Sequence, residues 1–526
     1  MRQGISRGCT PLIRPTHPAI RHAAVITVIA GLALALFMTT PTNGDFWWYD
    51  ASRHAMNGVF LRDLLMEGGL LHPIRFATEY YQQYPAINIG FYPPFFYLSS
   101  LPFLTVFGAS HAVSQAVVTL YALAAGLMVY LICQQAMDKL SALVAALAVM
   151  ALPEMALWSR QVQLDVPDIA LLLTTAWCLI RYLQSGRARW LLATALVLGL
   201  AMLTRVQAGY AVPVVALFAL FHKTPQRPRF RVWAGAAAVF LVLALPSVAS
   251  TIYFSRVTGS LAGAMPGMPS LWSFQNWTWY AAALPEQVGV PATVMIVAGL
   301  ACAAVSAMRI GASVPMRVVA GFALSSWLFF TIVSNKEPRF NLPSLPFVYM
   351  LAAMGFYRVW PVMARLLLTV LAGWLCYQAV AVAQVPIVDG FREAVAIAQA
   401  HTPKGQNVLI SAHRDGSFIY DMRTMGNRRD IGVRRADKLF VEINIMRQLG
   451  IKDQNLDQDA IRKILDDQRI AVVVAQTGYL ADQKSMQEFQ KLLYSGKTFR
   501  QVAQVDLHGN LRVDEKKLAI YKRYRE

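Results

Sequence analysis

Charged residues are scarce in this sequence. They make up 15% of its 526 residues, whereas a soluble domain of this size carries about a quarter. Hydrophobic residues make up 56% of the chain, and many of them stand in long runs. Because so much apolar surface cannot face water, the composition excludes a wholly soluble protein. It predicts a polytopic α-helical membrane protein with room for one soluble part.

Acidic residues are scarcer than basic ones. The chain has 29 Asp and Glu against 48 Lys and Arg, which leaves a formal net charge of +19. In a soluble protein this excess would indicate nucleic acid. Here much of it lies in short loops between apolar runs, so membrane topology accounts for part of it. The basic surface would also suit an anionic lipid or a phosphate-bearing substrate, and no nucleic-acid partner is expected.

Cysteine is rare as well. Four of the five cysteines, Cys133, Cys178, Cys302 and Cys376, lie in apolar runs, and Cys9 lies near the N-terminus. None falls in a segment that we expect outside the cytoplasm, so no disulfide framework is predicted. The sequence has no CxxC spacing, no convincing metal cluster and no internal repeat. It therefore assigns no cofactor with certainty and leaves a divalent metal open.

The apolar runs define the expected membrane part. Residues 1–21 carry four arginines, and the run that follows has no small-residue cleavage site after it. This pattern predicts a first transmembrane helix rather than a cleaved signal peptide. The other runs bring the expected number of spans to about eleven. They lie near residues 111–135, 140–157, 168–184, 190–204, 206–222, 231–254, 291–309, 317–334, 342–357 and 362–385.

The loops between these runs differ in charge. If the N-terminus is cytoplasmic, nearly all loops on the inner side are rich in Arg or Lys, as the positive-inside rule requires. We therefore expect a multi-pass membrane protein with a cytoplasmic N-terminus and with its C-terminal part outside the cytoplasm. The loops on the outer side are then residues 42–110, 156–167, a turn near Arg205, 255–290, 335–341 and everything after about residue 387.

The chain changes character after residue 385, where apolar stretches shorten and charges become frequent. We expect a cytoplasmic tail at 1–21, a transmembrane module at 22–386 and a soluble periplasmic α/β domain at 387–526. The stretches NVLISAH, IAVVVAQ, FRQVAQVDL and KLAIYKRY predict strands. The stretches FREAVAIAQAH, DKLFVEINIMRQL, DQDAIRKILDD and SMQEFQKLL predict amphipathic helices.

The large outer loop, residues 42–110, contains a stretch in which polar and aromatic residues alternate with apolar ones. Read as a helix, DASRHAMNGVFLRDLL places Asp50, Arg53, His54 and Asn57 on one face. Its polar start and amphipathic pattern are typical of a helix that lies along the membrane surface. Asp50 is a candidate for chemistry on this face, and the alternative is that it caps the helix.

The same loop ends in GFYPPFFYL, where two prolines begin a short apolar helix with aromatic residues, including Tyr92, at its mouth. With Trp47, Trp48 and Tyr49 these residues fit an interfacial aromatic belt. They also fit the wall of a site for a sugar ring or a polyprenyl chain. The two interpretations are compatible, because a lipid-linked substrate enters at this level of the membrane.

Two acids, Asp165 and Asp168, begin an apolar span in the stretch LDVPDIALLL. An ionisable group that faces a cavity at the end of a span usually marks function, although one of the two could cap the helix. Together, Asp50 and Asp165 provide material for a general base and for a partner to a cation or a metal. Arg205, in the turn LTRVQAGY, would bind a phosphate or pair with one of these acids.

The short outer loop SNKEPRFNLP holds Lys336, Glu337 and Arg339. Outer loops are normally poor in Lys and Arg, so Lys336 and Arg339 are unexpected in this loop. Binding of a phosphate or diphosphate would explain them, because Arg suits phosphate oxygens and Lys adds a point charge. The alternative is an internal pair between Glu337 and Arg339.

The motifs occur in an order that resembles membrane glycosyltransferases of the GT-C type, specifically glycosyltransferase family 39 with its aminoarabinose-transferase and protein-mannosyltransferase relatives. The order is DASRHA in the large outer loop, YPPFFY at the next helix, LDVP at a later span and KEPRF before a proline-rich helix. The resemblance covers about residues 22–385. Ala51 and Tyr92 depart from it, since the family usually has Glu after the aspartate and Lys or His before the proline pair.

The resemblance implies a fold, an activity and a site. The fold is a GT-C module of about eleven transmembrane helices, here followed by the soluble α/β domain. The activity is transfer of a hexosyl or pentosyl group from a polyprenyl-phosphate carrier to a lipid, glycan or protein acceptor at the outer face of the membrane. Asp50 and Asp165 match the two acidic positions and are expected to be catalytic. The residues expected to bind substrate are Arg53, His54, Tyr92, Arg205, Lys336, Glu337 and Arg339.

Two other classes of function are open. A transporter or flippase for lipid-linked glycans tends to place charges near the bilayer midplane and to show internal repeats. Here the notable charges gather at one expected surface. A non-catalytic membrane anchor for the C-terminal domain would not need Asp50, Asp165 and KEPRF on the same side. The sequence therefore favours a glycosyltransferase.

Overall fold

The computed structural model describes most of the chain. The described residues are 18–88, 90–255, 259, 267–426, 428–443, 450–513 and 515–524. The predicted cytoplasmic tail therefore lies almost wholly outside them, as do Cys9 and part of the predicted outer loop 255–290.

Helices make up the membrane part, and each of the eleven predicted runs falls on one helix or on two consecutive ones. These helices are α1 (Pro18–Met38), α2 (Tyr49–Met66), α3 (Pro73–Gln83), α4 (Phe95–Phe107), α5 (His111–Cys133), α6 (Lys139–Ala151), α7 (Pro153–Trp158), α8 (Asp165–Ser185), α9 (Ala188–Met202), α10 (Ala211–Phe221), α11 (Phe230–Tyr253), α12 (Phe274–Val288), α13 (Val290–Ile310), α14 (Val314–Ile332), α15 (Ser344–Val359) and α16 (Pro361–Tyr377). Short 3-10 helices lie at Gly69–Leu71, Val206–Tyr210 and Pro338–Asn341, and a π-helical turn, Gln378–Val382, extends α16.

Among the described residues, six helical segments are long and apolar enough to cross a membrane. They are His111–Cys133, Asp165–Ser185, Phe230–Tyr253, Val290–Ile310, Val314–Ile332 and Pro361–Val382. Several shorter apolar helices, α4, α6 and α9 among them, accompany these six. The prediction of a polytopic helical membrane protein is confirmed, while the number of about eleven spans stays a prediction.

Two glycines allow α13 and α15 to pack at backbone distance. A Cβ atom on Gly299 would overlap the carbonyl oxygen of Ala352, and one on Gly355 would lie 2.5 Å from the Cβ of Ala303. Small residues at such a crossing are typical of membrane helices, where close van der Waals packing replaces the hydrophobic effect as the driving force. This crossing fixes α15, which follows the KEPRF loop.

The C-terminal part folds around a five-stranded mixed sheet with the order β3-β2-β6-β9-β7. The pairs β2–β3 and β2–β6 are parallel, and β6–β9 and β7–β9 are antiparallel. Its strands and those of two small two-stranded sheets are β1 (Val388–Asp389), β2 (Asn407–Ser411), β3 (Val433–Arg435), β4 (Val441–Ile443), β5 (Ile451–Asp453), β6 (Ile470–Gln476), β7 (Phe499–Asp506), β8 (His508–Gly509) and β9 (Lys517–Arg523). The helices are α17 (Phe391–His401), α18 (Asp415–Thr424), α19 (Ala436–Leu439), α20 (Gln458–Asp467) and α21 (Lys484–Tyr494).

The sequence predicted the secondary structure of this domain with one clear error. All four predicted strands and three of the four predicted helices are present. The stretch DKLFVEINIMRQL is wrong as a single helix, because it holds the short α19 and then β4. Strand β4 pairs antiparallel with β5, from Val441 opposite Asp453 to Ile443 opposite Ile451. The β-branched residues of β4 favour this pairing, and the last part of the stretch, residues 444–449, lies outside the described residues.

The C-terminal domain packs directly on the first outer loop. Asp45 forms an isolated antiparallel bridge with Val388, and the indole N–H of Trp47 donates to the carbonyl of Leu511 at 2.6 Å. Arg414, which is buried, forms an ion pair with Glu515 and donates to the carbonyl of Trp47 at 3.1 Å. Ion pairs and backbone bonds together therefore attach the domain to the segment that leads into α2.

This docking corrects the expected position of α2. The helix itself is confirmed, but it does not lie with one face open along a membrane surface. It packs between α4 on one side and α18 of the C-terminal domain on the other. Ten of its residues are buried, including the polar Ser52, His54, Asn57 and Asp63. Protein therefore surrounds most of α2, and its polar residues face other polar groups rather than lipid headgroups.

Two buried acids, Asp45 and Asp421, meet in this interface. Asp45 Oδ2 accepts a hydrogen bond from the backbone N–H of Phe391 at 2.8 Å. Burial raises the pKa of Asp45 to about 6. Burial, followed by the charge of Asp45, raises the pKa of Asp421 well above its ordinary value. The folded protein therefore retains protons here that the unfolded chain releases from about pH 4 upward.

The glycine crossing predicts an effect of Gly299→Leu. The added side chain overlaps the backbone of α15, and overpacking of this kind costs about 1–3 kcal/mol. We expect a clearly lower apparent melting temperature in detergent than for wild type. Gly373→Leu is the matched control, because Gly373 lies on α16 with open space around its Cα. Equal melting temperatures for the two variants would show that the crossing tolerates the added volume.

The acid pair predicts how stability depends on pH. Because the folded state holds extra protons, the contribution of this pair to stability is fully present below about pH 4 and is lost as pH rises through about 6. Asp421→Asn replaces the protonated acid with a neutral hydrogen-bond donor. The variant should therefore gain stability relative to wild type as pH rises from 4 to 8, by about 1 kcal/mol or more. Thermal unfolding in detergent at several pH values measures this, and parallel curves for the two proteins would contradict it.

Candidate functional site

Asp50 lies in the first turn of α2 and has no partner in the described part of the chain. Trp48 is the N-cap residue of the helix, and no side chain caps it, so the alternative role of Asp50 as a cap is not what the structure shows. The helix dipole favours a negative charge at this end. Asp50 is half-buried, and among the described residues it makes no hydrogen bond or ion pair. Its carboxylate is therefore available to a ligand.

His54, one turn further along α2, lies among the charged groups. Its Nδ1 is 2.8 Å from the hydroxyl of Tyr97, and its ring packs edge-on against Tyr92 at 4.8 Å between centroids. Burial lowers the pKa of His54 to about 4, although the nearby charges of Asp50 and Asp165 act in the opposite direction. At neutral pH the imidazole is therefore uncharged, and it adds no cation to the site.

Four predicted residues are electrostatic neighbours of His54. The acids Asp50 and Asp165 and the cations Arg205 and Arg339 all act on its pKa. Three of them, Asp50, Arg205 and Arg339, also act on the hydroxyl of Tyr92. Burial raises the pKa of Tyr92 far above its ordinary value, so the phenol stays neutral and can donate a hydrogen bond. Residues from four separate stretches of sequence thus lie close enough to His54 for their charges to act on it.

Asp165 and Arg205 form an ion pair between the N-terminal end of α8 and the segment that follows α9. Asp165 begins α8, and Arg205 immediately precedes the 3-10 helix Val206–Tyr210. The side chains are 3% and 13% exposed, respectively. Removing either partner would leave a buried charge without compensation, which is strongly destabilising. Arg205 therefore follows the predicted alternative of pairing with an acid, and Asp165 is committed to that pair.

No described carboxylate pairs with Arg339, in contrast to Arg53 and Arg205. Its guanidinium lies over the rings of Trp48 and Trp158, at 4.9 and 4.8 Å from their centroids. Its Nε and Nη1 atoms are buried and have no hydrogen-bond partner within the described residues. Among the described residues, Arg339 does not form the predicted pair with Glu337. Two buried N–H donors without acceptors are costly unless a ligand supplies the acceptors.

Lys336 and Glu337 lie beside this site but have other contacts. The ammonium of Lys336 donates to the carbonyls of Phe330, Thr331 and Val333, at 3.0, 2.5 and 2.6 Å. It thereby satisfies backbone acceptors at the C-terminal end of α14. Glu337 interacts electrostatically with Glu154. The predicted roles of Lys336 and Glu337 in substrate binding stay predictions, and these contacts do not favour them.

Arg53 faces the C-terminal domain. Its Nη2 donates to Asp415 Oδ1 at 3.0 Å, and its charge also acts on the hydroxyl of Tyr92. Arg53 thus lies between the space around His54 and the domain that covers α2. The sequence placed Arg53 correctly on the face with Asp50, but it carried no sign of a partner 362 residues away.

Sequence reasoning missed several contributors to the site. Trp48 was assigned to an interfacial belt and Trp158 to no role, although both indole rings lie beside the Arg339 guanidinium. Tyr97, within YPPFFY, was not singled out as the partner of His54. A weak signal existed for Trp158, since an indole in an expected outer loop beside an unpaired arginine is a frequent cation–π arrangement. No local pattern could have indicated Asp415.

The side chains around Asp50 do not form a site that fits a divalent metal. Within the described residues, no group of three or more His, Cys, Asp and Glu side chains is placed to hold one. Asp165 is occupied by Arg205. Ala51, which stands where the family usually has a glutamate, is completely buried in the apolar core. Asp50 is therefore left without a second carboxylate beside it, and the chemistry below uses no metal.

Comparison with known proteins supports the same kind of molecule. Residues 92–250 match the family described as dolichyl-phosphate-mannose-protein mannosyltransferase. This stretch includes Tyr92, Asp165 and Arg205, but it covers less than half of the chain. Comparison with curated proteins gives no matching sequence.

Solved structures resemble the chain over most of its length. ArnT from Cupriavidus metallidurans bound to undecaprenyl phosphate is 13% identical with a TM-score of 0.61, and the match covers 96% of this chain and 97% of ArnT. Its apo state is 14% identical with a TM-score of 0.60, over 96% and 98% of the two chains. The Archaeoglobus fulgidus oligosaccharyltransferase in complex with Zn and sulfate is 12% identical with a TM-score of 0.54, over 86% and 68%. The chain is a multi-pass membrane protein of the GT-C fold, similar to the glycosyltransferases of family 39.

Proposed function

We propose that this protein is a glycosyltransferase that transfers a sugar from a polyprenyl-phosphate carrier to an acceptor at the outer face of a bacterial cytoplasmic membrane. The observation that supports this proposal is which charged side chains near α2 have a partner of opposite charge and which do not. Asp165 and Arg205 pair with each other, and Arg53 pairs with Asp415. Asp50 and Arg339 have no partner of opposite charge among the described residues. An uncommitted carboxylate and an uncommitted guanidinium that both act on the same histidine suit a reaction that moves a proton and releases an anion.

Arg339 is suited to the phosphate of the carrier. Guanidinium groups bind phosphate oxygens through charge-assisted N–H donors, and the buried Nε and Nη1 of Arg339 lack acceptors among the described residues. Trp48 and Trp158 hold the plane of the side chain in place. Arg205 adds a second positive charge nearby, and the neutral phenol of Tyr92 adds a donor. The crystal structure of ArnT with undecaprenyl phosphate supports this class of carrier.

Asp50 is suited to act as the general base. Transfer requires attack of an acceptor hydroxyl on the anomeric carbon, loss of its proton, and departure of the carrier phosphate. A carboxylate within reach of that hydroxyl accepts the proton, while Arg339 stabilises the negative charge on the departing phosphate. Asp165 is less suited to proton transfer, because its carboxylate is held by Arg205. Its proposed catalytic role is to orient Arg205.

The orientation of the protein follows from the same proposal. Asp50, Arg205 and Arg339 lie in segments that the charge of the loops places outside the cytoplasm. The N-terminus is then cytoplasmic and the C-terminal domain is periplasmic. The acceptor reaches the site from that side, and it is a lipid, a glycan or a protein with a free hydroxyl or similar nucleophile.

Asp50→Asn is the first test. The amide cannot accept the acceptor proton, so transfer should fall by a factor of about 100 or more, with expression and melting temperature unchanged. The assay follows release of undecaprenyl phosphate from a panel of labelled undecaprenyl-phosphate hexoses and pentoses in membranes with endogenous acceptors. Glu79→Gln is the control, because Glu79 is an exposed acid on α3 in the same outer loop. Full activity of Asp50→Asn would remove Asp50 from the role of base.

Arg339→Ala is the second test. Loss of charge-assisted hydrogen bonds to the phosphate should weaken binding of undecaprenyl phosphate about tenfold or more. Binding of undecaprenol, which has the same tail without the phosphate, should not change. Arg75→Ala serves as the control, since Arg75 is an exposed arginine of α3. Native mass spectrometry in detergent can compare the two ligands, and equal binding of phosphate and alcohol by wild type would reject the phosphate site.

A further inference from the structure

We propose that Asp415 of the C-terminal domain is a positioning residue for the carrier-phosphate site, acting through Arg53. This inference rests on the proposed function, because it gives Arg53 a share in binding the carrier phosphate. It also assigns a role to AHRDGSFIYDMRT, the stretch of the C-terminal domain that the proposed reaction does not use.

The contact is a buried chain of alternating charges. Asp415 Oδ1 accepts from Arg53 Nη2 at 3.0 Å, and the two side chains are 9% and 17% exposed. The other oxygen of Asp415 lies 2.6 Å from Arg435 Nε in an ion pair. Arg435 in turn makes two bonds to Asp437, at 3.0 and 2.7 Å. One carboxylate thus sits between two guanidinium groups, and the four charges sum to zero.

Close packing of two helices creates this contact. Asp415 begins α18, and the next residue, Gly416, lies directly against Ser52 of α2. A Cβ atom on Gly416 would overlap the hydroxyl of Ser52, so glycine lets the start of α18 approach α2 closely. At the far end of α18, Arg423 forms ion pairs with Asp63 at 2.5 Å and with Glu67 at 3.3 Å. The two helices are therefore fixed in register at both ends, and Asp415 is held beside Arg53.

Arg53 points toward the proposed active site as well as toward the domain. It stands three residues after Asp50, on the same face of α2. Its charge acts on Tyr92 on one side and on Tyr479 of the C-terminal domain on the other. Asp415 holds it through a single terminal nitrogen, which leaves its other N–H groups for a ligand. Holding one edge of a long side chain reduces the entropy that binding must remove.

Asp415 should affect binding of the carrier and leave the chemical step almost unchanged. Without the charge of Asp415, Arg53 and Arg435 face one another with only Asp437 to compensate them, and Arg53 loses its orientation. The general base, Asp50, is untouched. Asp415→Asn should therefore raise the KM for the carrier, or weaken binding of undecaprenyl phosphate, about three- to tenfold, the size expected for coupled charges. It should leave kcat within about twofold, because Arg53 is not the base.

A double-mutant cycle with Arg53→Ala tests the inference. If Asp415 acts through Arg53, Asp415→Asn weakens carrier binding in the wild-type background and adds nothing once Arg53 is alanine. An effect that persists in full in the Arg53→Ala background would show that Asp415 only holds the domain in place, and would overturn the proposal. Absence of any effect in the wild-type background would overturn it too.

Glu67→Gln is the matched control, since it weakens the same interface at the far end of α18 without touching Arg53. It should leave carrier binding unchanged, and a loss equal to that of Asp415→Asn would point to general undocking and reject the positioning role. If Asp415→Asn yields little folded protein, the same cycle is measured with Asp415→Glu, which keeps the charge but displaces it. Non-additivity with Arg53→Ala is again expected, and additivity would count against the inference.

The binding assay also separates this inference from the proposed function. If wild type does not distinguish undecaprenyl phosphate from undecaprenol, the phosphate site is wrong and the positioning role falls with it. If wild type distinguishes them and Asp415→Asn proves additive with Arg53→Ala, the glycosyltransferase proposal stands and only the role of Asp415 is rejected.

Discussion

Helix α2 carries Asp50, Arg53 and His54, and it is held from two sides that belong to different parts of the chain. On one side His54 meets Tyr97 of α4, and on the other Arg53 meets Asp415 of the C-terminal domain. Without either side the helix would be an amphipathic segment free to rotate at a membrane surface. Because both sides hold the helix, it cannot rotate about its axis, and its polar side chains keep fixed positions. The arrangement of charges around Asp50 depends on this.

The second constraint is the cost of buried charge. An ionised group away from water needs a partner of opposite sign, and most of those near α2 have one: Arg205 with Asp165, Arg414 with Glu515, and Arg423 with Asp63. Against that background, Arg339 and Asp50 are the exceptions. The cost of leaving Arg339 unpaired is lowered by the two indole rings, which attract a cation without neutralising it. An anion that arrives there meets a positive charge that no carboxylate has cancelled.

The sequence predicted the helical membrane part well, because hydrophobic runs of that length have few alternatives to helices. From the charge of the loops it also predicted that Asp50, Asp165, Arg205 and Arg339 lie on one side of the membrane, and the structure brings all four near His54. It could not predict which cation would be free, since Lys336 and Arg339 stand three residues apart in the same motif. Only the fold shows that Lys336 is taken up by the carbonyls at the end of α14. It also failed for β4, where pairing with a distant strand overrides a local helical pattern, and for Asp415, whose partner lies in another part of the chain.

The contact between Asp45 and the start of α17 joins residues 346 positions apart. A ribosome that feeds this chain into a membrane must therefore finish the helical bundle before the segment ahead of α2 can meet its partners in the sheet domain. The C-terminal domain thus completes the surroundings of a helix that the ribosome has made long before it. A chain that stops before this domain lacks the partner of Arg53. In this protein the order of synthesis delays the complete surroundings of α2 until the C-terminal domain has been made.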